Sequence, residues 1–136
     1  MQRAIICGLA LALLSCAPPS QSGSQGTPSP YVQVQKAGEH TATLTIAPYP
    51  PALMEEVPLI LTVQDAQGRP VLGATVQLDL TMPGMEMPPN HPEAVEEGNG
   101  RYRAPAVFTM AGAWQVRAEV IGQDGKQEFI FHLRTR

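Results

Sequence analysis

The sequence predicts an all-β protein with an immunoglobulin-like antiparallel β-sandwich of about seven strands. After Pro30, apolar residues recur two positions apart in several short runs, which is the period of a strand with one buried face. Glycine, proline, asparagine and aspartate bound these runs and supply turns between them. The region that carries this pattern, residues 31–136, has the length of an immunoglobulin-like sandwich of about 100 residues.

Seven strands are predicted along this region, and no long helix is expected. They cover residues 31–36, 41–47, 57–65, 74–82, 101–110, 113–121 and 127–134. The turns predicted at residues 65–68 and 122–125 contain Asp and Gly, which adopt the tight conformations of hairpins. From the third strand onward, every second residue of each strand is apolar, and these residues should face the core. These apolar positions are Leu59, Leu61 and Val63; Val76, Leu78, Leu80 and Met82; Tyr102, Ala106, Phe108 and Met110; Trp114, Val116, Ala118 and Val120; and Phe129, Phe131 and Leu133.

The first 15 residues have the pattern of a signal peptide for export. Arg3 makes the start basic, and an apolar run of about half the ~20 residues of a membrane-spanning helix follows from Ala4 to Leu14. The ending Leu13-Leu14-Ser15-Cys16 resembles the bacterial lipobox, which implies cleavage before Cys16 and attachment of lipid to its sulfur. The alternative is ordinary secretion with Cys16 left as a free thiol, which is a liability in an oxidising compartment.

Residues 16–30 are predicted to be a flexible linker behind the lipidated Cys16. The segment is rich in Pro, Ser and Gly and lacks large apolar side chains, so it cannot offset the entropy of ordering. At up to ~3.3 Å per residue it would let the domain reach roughly 45 Å from the lipid. We therefore expect an exported protein that is held at the extracytoplasmic face of a membrane by its lipid anchor.

The charge and the motifs of the sequence argue against several classes of function. The formal net charge is −3, which argues against nucleic acid as a partner. The sequence has no Gly-x-Ser-x-Gly elbow, no phosphate-binding glycine loop and no His-Glu-x-x-His motif, and a chain that starts at Cys16 has no plausible cysteine nucleophile. The protein is not expected to be an enzyme.

The segment Met82-Pro83-Gly84-Met85-Glu86-Met87-Pro88-Pro89-Asn90-His91 predicts a site for a soft metal ion. Thioethers are poor ligands for magnesium, calcium or manganese but select copper(I), and imidazole suits copper in either oxidation state. If Met82 ends a strand and Pro83-Gly84 turns the chain, then Met85 and Met87 can point to the same side. Met110 ends another strand and could reach the same place. The candidate copper(I) ligands are Met82, Met85, Met87, His91 and Met110.

Each of these residues has a simpler alternative role. Methionine fills irregular gaps in cores, and this alternative is strongest for Met82 and Met110. It is weaker for Met85 and Met87, because Glu86 and the flanking Pro and Gly residues indicate a solvated loop. His91 is either a ligand or a loop histidine in water.

Three motifs resemble those of the YtkA-like or FixH-like domain family. They are Met-Pro-Gly-Met-Glu-Met at residues 82–87, Gly100-Arg101-Tyr102, and Met110-Ala111-Gly112-Ala113-Trp114. The resemblance implies an immunoglobulin-like fold and a setting of copper handling and respiratory oxidase assembly. It implies roles for Met82, Met85, Met87 and Met110, with His91 in the loop that follows. Related motifs place a histidine soon after the second methionine, whereas the first histidine here is His91.

Two functions remain open from the sequence. The first is a membrane-tethered copper(I) carrier that delivers the ion to a cuproenzyme such as a terminal oxidase. The second is a non-metal lipoprotein module that docks an envelope or transport protein through its Pro/Met loop. Replacing Met85 and Met87 with leucine separates the two, because leucine keeps the apolar volume but removes the sulfur.

Overall fold

The computed structural model describes residues 29–136, which form eight β-strands and include no helix, and hence none suited to crossing a membrane. The strands are β1 (Tyr31–Ala37), β2 (His40–Ile46), β3 (Glu56–Gln64), β4 (Thr75–Thr81), β5 (Val95–Gly98), β6 (Arg101–Val107), β7 (Gly112–Gly122) and β8 (Gly125–Thr135). A five-stranded sheet has the order β1-β2-β3-β6-β5, and a three-stranded sheet has the order β4-β7-β8. All neighbours pair antiparallel. The predicted all-β sandwich is confirmed.

The core lies between the two sheets and consists of the alternate, apolar residues of their strands. In the larger sheet Leu44 lies opposite Leu61, which in turn lies opposite Tyr102. In the smaller sheet Val116 lies between Leu80 and Phe131 in the same way. Because buried residues lie opposite each other in neighbouring strands, one face of each sheet is shielded from water. A shift of the pairing by one residue would turn the apolar side chains of that strand towards solvent.

The structure contains one strand more than the seven predicted. β5 is only four residues long, with two adjacent glutamates, and it pairs with β6 at the edge of its sheet through an irregular register. Short, charged edge strands lack an apolar parity, so no period-two signal marks them. The predicted strand 101–110 also ends early, because β6 stops at Val107 and Phe108 instead bridges to Leu53 in a parallel contact. The predicted signal peptide, Cys16 and most of the linker lie outside the described residues.

Side chains of β1 and of the connection between β2 and β3 bond to part of the free edge of β8. The hydroxyl of Tyr31 donates to the carbonyl oxygen of His132 at 2.7 Å, and the backbone N–H of His132 donates to Gln33 Oε1 at 2.9 Å. The backbone N–H of Arg134 donates to the hydroxyl of Tyr49 at 3.2 Å, and the rings of Tyr31 and Tyr49 stack 4.5 Å apart. The part of this edge at His132 and Arg134 is therefore satisfied within the chain.

The segment after the methionine-rich loop covers the free edge of β4. The N–H of Leu80 donates to the carbonyl of Asn90 at 3.0 Å, and Gln77 forms a bridge with Glu93 farther along. The side-chain amide of Asn90 donates to the carbonyl of Val107 at 3.1 Å, which ties the segment to the other sheet. These contacts fix both ends of the loop that carries Met85 and Met87.

Tyr102 is expected to stabilise the loop between β3 and β4. Its buried hydroxyl donates to the carbonyl of Val71 at 2.7 Å and accepts from the N–H of Ala74 at 3.1 Å. Tyr102→Phe leaves both backbone groups without this partner, which should lower the free energy of unfolding by about 1–3 kcal/mol. Urea unfolding of both proteins at pH 7 measures this difference, and equal stability there would contradict it.

The same contact makes a prediction about pH. Burial raises the pKa of the Tyr102 hydroxyl, so the folded state favours the neutral phenol more than the unfolded chain does. The stabilisation is therefore complete below about pH 10 and is lost as the pH rises through the folded-state pKa. The stability difference between wild type and Tyr102→Phe should shrink in that range.

Candidate metal centre

All five methionines in residues 29–136 belong to one end of the sandwich, which we call the methionine end. Met54 precedes β3, Met82 follows β4, Met85 and Met87 lie in the next loop, and Met110 lies between β6 and β7. The start of β3 pairs with the end of β6, and the end of β4 pairs with the start of β7. Because the connection from β6 to β7 is short, both sheets present these strand ends at the same side of the domain.

A β-turn starts the methionine-rich loop, as the sequence predicts. The N–H of Met85 donates to the carbonyl of Met82 at 3.1 Å, which closes a four-residue turn. Pro83 occupies the second position and Gly84 the third, with φ at +81°. Proline followed by a residue with positive φ is the pattern of a type II turn. The turn brings the backbone of Met85 back beside the end of β4.

Met82 and Met87 form the inner part of the methionine end. Met82 is 7% exposed and packs in the hydrophobic core. Met87 packs partly against the same core, and its sulfur accepts a hydrogen bond from the backbone N–H of Met82 at 3.2 Å. A thioether is a weak acceptor, so this contact places the sulfur of Met87 at the strand end without a strong bond that a metal would have to replace.

Met85 and Met110 form the outer part. The Met85 side chain is 51% exposed, whereas that of Met87 is half-buried, so the two residues have different surroundings although they share one loop. Met110 is 37% exposed, although its sequence parity with Phe108 suggests a buried position. The parity is broken because the strand ends at Val107. The methionine end thus combines a buried thioether with others that solvent can reach.

The surroundings of Gly112 explain why the Met-x-Gly-x-Trp motif has glycine at this position. Its φ is +140°, and a side-chain carbon at this position would lie 2.8 Å from the terminal methyl carbon of Met82. The missing side chain therefore provides the space that Met82 occupies. Since Gly112 is two residues from Met110, the motif brings the β4 end and the β6–β7 connection into contact.

The imidazole of His91 lies beside β4 rather than among the methionines. Its Nδ1 is 3.3 Å from Oδ1 of Asp79, and both side chains line a groove of about 430 Å³ with Arg117 and Glu119. Asp79 is on the parity of β4 opposite to that of Met82, which points into the core. The structure thus brings four of the five predicted ligands to the methionine end and places His91 on the outer face of the smaller sheet.

The donors fit a soft metal. Within residues 29–136 no group of three His, Cys, Asp or Glu side chains is close enough to hold a metal ion. The methionine end instead offers neutral thioethers, which prefer copper(I) over hard divalent cations. One of its five methionines, Met54, has no counterpart in the predicted ligand set. It lies 28 residues before Met82 and reaches this end through the long-range pairing of β3 with β6.

Comparison with known protein families gives a match over most of the domain. The family model described as YtkA-like matches residues 34–119, a span that includes all five methionines, Gly112 and Trp114. Searches of curated proteins and of solved structures found no match. Because the matched span exceeds half of the chain, the resemblance drawn from the three sequence motifs is confirmed: the chain belongs to the YtkA-like family.

Proposed function

We propose that this protein binds copper(I) through the thioethers of the methionine end and carries the ion outside the cytoplasm. The observation behind the proposal is that five methionines from three separate segments of the chain occupy one end of the fold. Membership of the YtkA-like family, with its setting of copper handling, supports the same reading. In this proposal the recipient is a cuproenzyme such as a respiratory terminal oxidase.

Thioether ligands suit a copper carrier outside the cytoplasm. They are neutral and carry no proton at any physiological pH, so metal binding does not compete with protonation as it does for thiolates or imidazole. They also cannot form disulfides, which threaten thiolate ligands in an oxidising compartment. Their weakness is oxidation to the sulfoxide, which replaces a soft donor with a polar oxygen.

The division into inner and outer thioethers suggests how the ion is exchanged. Met85 and Met110 are exposed enough to meet a partner protein, whereas Met82 is almost covered. Copper(I) would be captured and released through the exposed sulfurs, and the buried sulfur would hold it between these events. Transfer then proceeds by replacing one ligand at a time rather than by releasing a free ion.

Attachment to the membrane through Cys16, after removal of residues 1–15, completes the proposal. The first strand begins at the methionine end, because Tyr31 pairs with the end of β2 and that end pairs with the start of β3. Tyr31 and Tyr49 line a shallow pocket together with Pro83 and Trp114. A tether that enters there would keep the methionine end within reach of a partner in the same membrane.

A competition titration tests the proposal. The domain is titrated with copper(I) against a colorimetric copper(I) chelator in the absence of oxygen, beside the variant with Met85→Leu and Met87→Leu. Leucine keeps the apolar volume, so we expect an unchanged fold and at least a tenfold loss of affinity, about 1.4 kcal/mol. Leu72→Met serves as a control, since it adds an exposed thioether at the other end of β4 and should add no binding.

The second candidate function is docking of an envelope protein through the same loop. Met54 is 71% exposed and Met85 is 51% exposed, so the methionine end presents apolar surface to solvent. The double leucine variant would preserve such docking. Wild-type copper(I) affinity in that variant would reject Met85 and Met87 as ligands, and absence of binding in the wild type would favour the docking function.

A further inference from the structure

Met54 has an unusual conformation for its residue type. Its φ is +61°, in the left-handed region that disfavours side chains with a Cβ, and its side chain is 71% exposed. Glycine or asparagine would occupy this position with less strain, and a polar side chain would be better solvated. Backbone strain of this kind persists where surrounding contacts enforce it, and it is enriched at functional sites.

A single hydrogen bond attaches Met54 to the segment that leads to Met110. The N–H of Met54 donates to the carbonyl of Phe108 at 2.8 Å, next to the parallel bridge between Leu53 and Phe108. Leu53 packs against the core, which holds this short segment down. The backbone of Met54 is therefore fixed while its thioether projects into solvent.

The backbone of Met110 is fixed in a similar way. Its carbonyl oxygen accepts hydrogen bonds from Trp114 Nε1 at 3.0 Å and from Thr135 Oγ1 at 2.7 Å. The side chain remains 37% exposed. Met54 and Met110 thus share an arrangement of anchored backbone and exposed thioether, and Phe108 connects the two segments.

We propose that Met54 is a copper(I) ligand that acts with Met110 as an outer pair of thioethers on the β6 side of the methionine end. The proposal rests on the copper(I) function proposed above and extends it to a residue outside the family-like motifs. Glu55 and Glu56 follow Met54 directly and are both exposed, so a cation that approaches this pair meets negative charge. The pair would take up the ion from solvent or from a partner and pass it to Met85 and Met82.

Methyl NMR tests the proposal on the full chain in detergent micelles. The methionine methyl groups are labelled with ¹³C, and their resonances are assigned by single Met→Leu substitutions. On titration with copper(I) alone, we expect the resonances of Met54 and Met110 to shift together with those of Met85 and Met82. A shift of Met82, Met85 and Met87 without Met54 would overturn the inference and leave the copper(I) function intact. If no methionine resonance moves, the proposed function itself fails.

Two substitutions at Met54 provide an independent readout. Met54→Leu removes only the sulfur, whereas Met54→Gly also relieves the left-handed strain. We expect both variants to lose about threefold in copper(I) affinity, and we expect Met54→Gly to unfold at a temperature higher than the wild type by a few degrees. A gain in thermal stability with a loss of affinity would show that the methionine is kept for binding. Unchanged affinity in both variants would contradict the inference.

Discussion

Replacing Trp114 with alanine is expected to lower the free energy of unfolding by about 3–5 kcal/mol, the usual cost of deleting a large buried aromatic side chain. Trp114 is buried at the methionine end, and its ring meets that of Phe108 edge to face, with the centroids 5.2 Å apart. Its indole N–H also donates to the carbonyl of Met110. Urea unfolding monitored by circular dichroism measures the loss. A cost below about 1 kcal/mol would contradict this role in the core.

Trp114→Phe separates the packing of Trp114 from its hydrogen bond. Phenylalanine keeps an aromatic ring but lacks the indole N–H, so the carbonyl of Met110 would retain only the bond from Thr135. We expect a folded protein that is less stable by about 1–3 kcal/mol, with a more mobile segment around Met110. Hydrogen exchange of this segment would be faster than in the wild type, and unchanged exchange would show that the indole N–H does not anchor Met110.

Gly112→Ala is expected to destabilise the domain by about 1–3 kcal/mol and to disturb the proposed copper(I) site. The added carbon would meet the Met82 methyl carbon, and the backbone at φ +140° disfavours any side chain. Because the end of the Met82 side chain is flexible, it would move away and carry its sulfur with it. Thermal unfolding and copper(I) titration of the variant measure both effects.

The same strand offers a matched control for this substitution. Gly122 lies at the other end of β7, where an added carbon would meet Ala74 and Val71 at an ordinary distance of 3.7 Å. Gly122→Ala should therefore leave stability and copper(I) affinity close to those of the wild type. If both variants behave alike, the contact between Gly112 and Met82 is not what makes glycine necessary at position 112.

The sequence predicts most of the fold because burial here follows strand parity. Leu78 and Leu80 on β4, like Val116 and Phe131 in the paired strands, are buried as their alternation indicates. The turn at Met82 to Met85 is also predictable, since Pro and Gly at its centre are specific to one turn type. The strand β5 is not predictable in this way, because its two adjacent glutamates break the apolar alternation and make it resemble a loop.

The details of the site depend on contacts between distant segments, which alternation does not reveal. Met54 joins the methionine end through the pairing of β3 with β6 and through its own bond to Phe108, 54 residues later in the chain. His91 turns to Asp79 because residues 90–94 run along the edge of β4, a pairing without a sequence signal of its own. The exposure of Met110 follows from where β6 ends. Local patterns thus identify the methionine-rich loop, and the fold determines which residues join it.

X-ray absorption at the copper edge tests thioether coordination most directly. The protein is loaded with one equivalent of copper(I) without oxygen and compared with the variant that carries leucine at Met85 and Met87. The proposed function predicts sulfur atoms as the dominant nearest neighbours of copper, with fewer of them in the variant. Neighbours that are only nitrogen or oxygen, or identical spectra for the two proteins, would contradict a copper(I) site built from these methionines.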